Sequence, residues 1–144
     1  MIIRKLSLKE VEYVAFEMAK EIMTWNEPFP EFGTRYPNIL ESCIETPFQT
    51  YSQKPLYKKL TGKGAILFYL MIKNHPFENG NKRIAIMTLL TFLYLNRKWL
   101  KVPNKQLYKF AVGVAKSEPK LKDKYIRHIE AFINKNLVNF HDKN

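Results

Sequence analysis

With 144 residues, 46% of them hydrophobic and 26% charged, the chain can bury one real core, and residues 1–144 read as a single domain. Its one cysteine, Cys43, excludes an intrachain disulfide and any cysteine-based zinc cluster, and suits a reducing cytoplasm. The formal charge of +11 favours an anionic partner (nucleic acid, nucleotide, acidic protein or anionic membrane surface) without choosing among them, and it is also what a plainly soluble surface carries.

Met1 to Leu6 is too short in its apolar part for a signal peptide. Ser7-Leu8-Lys9-Glu10 reads as a capping box, and Val11, Val14, Ala15, Met18, Ala19 and Ile22 then share one face of a first helix. Pro28, Pro30, Gly33 and Pro37 make residues 24–37 a loop, and Pro37 can open a short helix carrying Ile39, Leu40, Cys43 and Ile44. Thr46 to Gln53 is β-favouring and bounded by Pro47 and Pro55, which predicts an extended flap or small hairpin, with a helical turn over 56–60 after it. Gly64 to Asn74 reads as an apolar helix. Asn81 or Lys82 opens the next, ending at Leu95 or Asn96. Its most apolar window, Ile84 to Leu95, is about a dozen residues against the roughly 20 of a membrane span, so it reads as a core helix. Pro103 starts a helix to about Ser117. Lys120 to about Val138 forms the last, with Tyr125, Ile129, Phe132 and Ile133 inward. Helices on short loops with one β-like flap predict a compact all-α bundle.

Between the two most apolar helices lies His75-Pro76-Phe77-Glu78-Asn79-Gly80-Asn81-Lys82-Arg83. A polar loop beside the core needs partners for its polar groups. A helix N-terminus supplies free N–H groups and a positive dipole end, which together attract phosphate. Gly80 lets backbone approach such an anion closely, while Lys82 and Arg83 add cations in a turn where cations alone disfavour the helix. A bound anion resolves that conflict. His75, on the other lip, is the natural general base for a hydroxyl, and Phe77 anchors the loop in the core. Base and anion cradle together suggest transfer of a phosphorus-centred group.

This nonapeptide resembles the signature of the Fic/Doc family, specifically its Doc (death-on-curing) branch. The Fic pattern is His-x-Phe-x-Asp/Glu-Gly-Asn-Gly-Arg with a second Arg three positions on. Here Lys82 replaces the Gly and Ile86 the second Arg, and the Lys is typical of Doc-like members. The N-terminal Ile-Arg-Lys-Leu-Ser-Leu-Lys-Glu, the Leu40-Glu41-Ser42 element and the Pro47 to Pro55 flap fit the same family, so the resemblance covers most of the chain.

The resemblance implies a Fic/Doc-like helical bundle and an enzyme using ATP or another nucleoside triphosphate, with Mg²⁺ as cofactor. Doc-type toxins transfer the γ-phosphate to a threonine of elongation factor Tu and stop translation, whereas Fic proteins usually transfer AMP to a protein hydroxyl. By position, His75 is the base, and Lys82 and Arg83 are catalytic cations. Asn79, Gly80, Asn81, Lys82 and Arg83 bind phosphate, and Thr46, Phe48, Gln49, Thr50 and Tyr51 form a flap that aligns the target by strand pairing. The family's acidic Mg²⁺ ligand falls on Asn79, a neutral oxygen donor. No Ser/Thr-x-x-x-Glu-Gly/Asn inhibitory helix is present, so restraint implies a partner, an acidic antitoxin. The reading is therefore a cytoplasmic Doc-type phosphotransferase, with no membrane and no direct nucleic-acid partner. An AMP transferase of the same fold and a non-catalytic basic binding module are the alternatives.

Other motifs carry less. Gly62-Lys63-Gly64 lacks the first glycine and the Ser/Thr of a Walker loop, and His128 and His141 show no metal spacing. The basic stretch from Arg97 through Arg127 reads as a charged surface open to acidic protein or RNA.

Overall fold

The structure is a computed structural model and describes residues 2–22 and 28–140. The predicted loop over 24–37 is thus seen only from residue 28 on, and His141 lies outside the described residues. Among the described residues, six helices form an all-α bundle with two small antiparallel strand pairs.

Helix α1 (residues 8–22) starts on the expected capping box: Glu10 N–H donates to Ser7 Oγ at 3.1 Å, and Ser7 N–H to Glu10 Oε1 at 2.9 Å. Its inward face differs from the expected one. Val11–Phe16 winds as a π-helix, and the wider turn changes which side chains face the bundle. Val11, Ala15, Phe16 and Ala19 are buried, whereas Val14, Met18 and Ile22 are 43%, 37% and 48% exposed. Phe16 thereby joins an aromatic group with Phe29, Phe32 and Phe77, at centroid distances of 4.9, 5.2 and 5.5 Å.

Helix α2 (Pro37–Glu45) opens on Pro37 as expected and buries Leu40, Cys43 and Ile44. A 3₁₀ turn, Thr46–Phe48, follows in place of the first part of the predicted flap. The hairpin proper pairs β1 (Thr50–Tyr51) with β2 (Lys54–Pro55), Thr50 opposite Pro55 and Tyr51 opposite Lys54. Both turn residues, Ser52 and Gln53, have positive φ (51° and 66°). Glycine or asparagine is the usual signal for such a turn, so its sequence signature is weak. The expected helical turn over 56–60 is absent, and helix α3 (Leu60–Lys73) instead begins four residues before the expected Gly64.

Helices α3 and α4 (Asn81–Leu95) form the buried centre. They pack against one another, and α6 (Lys122–Asn136) packs on α3. Gly64 permits that close approach: a Cβ there would sit 3.1 Å from Leu89 Cδ1 and 3.4 Å from Ile133 Cδ1. Helix α5 (Asn104–Lys116) joins through stacked rings, Phe110 lying 4.1 Å from Phe132. Ile129 and Ile133 are fully buried, while Tyr125 and Phe132 are half-buried. The last helix stops at Asn136 rather than Val138, because Leu137–Asn139 forms strand β4 against β3 (Lys98–Leu100). Sequence periodicity gives no sign of this pair, since each strand is only three residues long. Among the described residues no helix is long and apolar enough to cross a membrane.

Candidate functional site

The loop from Asn74 to Gly80 joins the C-terminus of α3 to the N-terminus of α4 and is pinned from three sides. Phe77, 1% exposed, inserts into the aromatic group; burying such a ring contributes about 2 kcal/mol. Tyr36 N–H, just ahead of α2, donates to the Pro76 carbonyl at 2.9 Å. Asn81 closes the loop on itself: its Oδ1 accepts from Phe77 N–H at 3.0 Å and its Nδ2 donates to the Phe77 carbonyl at 2.8 Å. The buried Asn81 side chain is thus committed to the loop, which leaves its backbone for any ligand.

Gly80 caps α4 with φ +73° and ψ 9°, a left-handed geometry. A Cβ here would stand 3.2 Å from Pro30 Cδ and 3.4 Å from Phe29 Cδ1. The missing side chain therefore also makes room for the 29–30 segment, in addition to the backbone conformation read from sequence. Among the described residues no side chain caps the helix, and its first intrahelical bond is Ile84 N–H to Gly80 carbonyl at 3.0 Å. The earlier N–H groups have no acceptor within the helix.

These elements enclose a cleft of about 260 Å³ lined by Pro28, Ile72, His75, Glu78, Asn79, Gly80, Asn81, Lys82 and Ala115. His75 is exposed at its lip and sits at φ +49°, unusual for a residue with a Cβ. Such strain is found where a side chain must be aimed. Asn81 Nδ2 lies 3.5 Å from His75 Nδ1, too long to fix the ring's tautomer. Lys82, which also lines the cleft, is half-exposed, and Glu78 is exposed. Asn79 Oδ1 is buried without a hydrogen-bond partner. A bare oxygen of this kind suits a hard cation, although one neutral donor cannot hold Mg²⁺ alone. No group of three or more acidic, His or Cys side chains that could hold a metal exists among the described residues.

Arg83 is buried against the 28–29 segment. It is 2% exposed, its Nη2 donates to the Pro28 carbonyl at 3.0 Å, and its guanidinium stands 4.9 Å from the Phe29 ring centre. It does not line the cleft but braces Pro28, which does. A contact over 55 positions leaves no trace in a local motif. The flap residues also divide. Gln49, Thr50 and Tyr51 are exposed, and Tyr51 is 74% exposed. Phe48 instead packs on Phe92 and under the Lys63 ammonium, 4.4 Å from its ring centre, and Thr46 Oγ1 donates back to the Ser42 carbonyl at 2.7 Å.

Sequence reasoning missed Lys73, in the last turn of α3. Its ammonium donates to the carbonyls of Ala115 at 3.1 Å and Ser117 at 2.6 Å, capping α5 and fixing the Ala115 wall. A cation in a last helical turn is the signal that could have found it. Cys43 is buried, and desolvation pushes its thiol up to about 12, so it supplies no nucleophile.

Comparison with known proteins gives a family and a relative. The sequence model of the Fic/DOC family matches residues 6–93, from the start of α1 through most of α4. Toxin Doc of Mycolicibacterium smegmatis (strain ATCC 700084 / mc(2)155) is 32% identical over 66 residues, 46% of this chain and 51% of that protein. The match thus spans about half the length of this curated relative. No solved structure matches significantly. The family match covers more than half of the chain and includes the whole His75–Arg83 loop, and the chain belongs to the Fic/DOC family.

Proposed function

We propose that the chain is a Doc-type toxin that transfers a phosphate from a nucleoside triphosphate to a hydroxyl of a protein target, with elongation factor Tu as the expected target. The observation that carries this reading is the cleft itself, lined both by His75 in a strained backbone conformation and by the α4 N-terminus with Lys82. At about 260 Å³ it is smaller than whole-ligand pockets, and suits the phosphate end of a nucleotide with the nucleoside outside.

In the proposed reaction the target hydroxyl oxygen bonds to the γ-phosphorus, the bond from that phosphorus to the β-phosphate oxygen breaks, and the hydroxyl proton passes to His75. Backbone N–H groups of the first α4 turn and the Lys82 ammonium offset charge on the phosphates. Asn79 Oδ1 would contribute one ligand to Mg²⁺, which when bound neutralises phosphate charge. The exposed edge at Gln49 to Tyr51 would align the target segment by strand pairing.

The chain would act in the cytoplasm, restrained by an acidic antitoxin. Residues 94–140 pack on the family-matched region through α5 and α6, which supports one domain over 1–144. Expression of wild type and His75→Ala in bacterial cells tests the reading. Growth arrest by wild type and its loss in the variant are expected, with the catalysed rate falling about 10²–10⁴-fold, the range for a general base. Undiminished arrest by an equally abundant His75→Ala would overturn the assignment.

A further inference from the structure

The opposite end of α4 carries a second constellation. The helix has 15 residues, so its C-terminus lies about 22 Å from the cleft. Two adjoining clefts of about 440 and 520 Å³ meet there and share Arg4, Leu95 and Arg97. Lys98 lines the first, Tyr94 and Phe140 the second, and among the described residues no carboxylate lines either. Arg4, Tyr94, Arg97, Lys98 and Phe140 all lie outside residues 6–93, so the family match says nothing about them.

The two arginines are presented by fixed backbone. The Asn96 side chain clamps Arg4, its Oδ1 accepting from Arg4 N–H at 2.8 Å and its Nδ2 donating to the Arg4 carbonyl at 3.1 Å. Arg97 occupies the left-handed position after α4, with φ 64°. Its N–H donates to the Tyr94 carbonyl at 2.9 Å and its carbonyl accepts from Phe140 N–H at 3.0 Å. Glycine is the ordinary residue at such a helix end, because a Cβ there is strained. An exposed arginine in a glycine position points to use of its guanidinium. Glu10 pairs with Arg4 at 2.7 Å and offsets part of that charge, while Lys98 donates to the neutral Asn139 amide oxygen, so the described lining of the clefts is net positive. Beside them Tyr94, 49% exposed, is propped edge-on by Phe140 at 4.6 Å between centroids.

Guanidinium forks suit phosphate oxygens, and an exposed aromatic ring suits the face of a base. We propose that the Arg4–Tyr94–Arg97–Lys98 surface binds single-stranded nucleic acid, with the cations on successive phosphates and Tyr94 under a base. The proposal does not depend on the chemistry at His75.

Fluorescence anisotropy of the full chain with a labelled oligouridylate of about a dozen nucleotides tests it. Binding that weakens with salt is expected, and Arg97→Gly should shallow the salt slope by about 0.7, the value for one single-strand phosphate contact. Glycine fits the left-handed backbone, so this variant keeps the fold. Tyr94→Leu should weaken binding about tenfold without changing the slope. No binding at low salt, or binding indifferent to Arg97→Gly, would overturn the proposal. So would equal displacement of the oligonucleotide by polyglutamate of matched charge, because that would mark a surface for acidic protein.

Discussion

Two asparagines two positions apart in the loop have opposite fates, and their substitution separates positioning from binding. Asn81→Ala removes the acceptor for Phe77 N–H and the donor to the Phe77 carbonyl, bonds of 3.0 and 2.8 Å. Phe77 is 1% exposed, so both backbone groups are left without water. A buried unsatisfied group costs about 1–3 kcal/mol. Two of them, with some relief from loop relaxation, give about 2–4 kcal/mol. Asn79→Ala deletes an oxygen that has no protein partner and should change stability by less than about 0.5 kcal/mol. Urea unfolding followed by far-UV circular dichroism measures both. Calorimetric titration with nucleoside triphosphate and Mg²⁺ should then show Asn81→Ala weakened through the disordered loop. Asn79→Ala should lose most of the Mg²⁺ dependence and little affinity in its absence. Equal stability of Asn81→Ala and wild type would refute the clamp; a large loss in Asn79→Ala would refute the claim that its oxygen is reserved for a ligand.

His75→Gly relieves the left-handed strain and should gain about 0.5–1 kcal/mol while losing activity; a loss of stability, read from the urea midpoint, would contradict the strain. Lys63 is 5% exposed, and burial lowers its ammonium from the usual lysine range. Between the lowered folded value and the unfolded one the unfolded chain binds more protons, so stability should rise with pH in that window. Relative to Lys63→Met, wild type should therefore gain stability from pH 7 toward pH 10, and a constant difference would exclude the effect. Replacing Tyr51, 74% exposed, with Ser should leave stability within about 0.5 kcal/mol and reduce modification of the protein target more than nucleotide binding.

The bundle was legible where apolar periodicity is strong. Helices α3 and α4 are buried nearly all round, and their runs of Ile, Leu, Phe and Met announce that directly. Helix α1 shows the limit: its apolar spacing fits an α-helix, and the π turn changes the inward set to include Phe16. The strand pair Lys98–Leu100 with Leu137–Asn139 rests on pairing across the chain, which local sequence does not encode. At the site, Phe77 as anchor and Gly80 at the helix start followed from residue type. The contacts of Arg83 and Asn81 did not, because both depend on what lies opposite. Arg83 meets Pro28 and Phe29, and Asn81 folds back on the Phe77 backbone. A motif records which residues are present, whereas division of labour within it is a matter of packing.

If His75 and the α4 N-terminus move a terminal phosphate to a protein, the position of a radiolabel on the nucleotide reports it. Purified chain should be incubated with bacterial lysate and nucleoside triphosphate labelled at either the γ or the α position. Label on a lysate protein from the γ position alone, lost in His75→Ala, is the predicted result. Label arriving only from the α position would show nucleotidyl transfer instead and contradict the account.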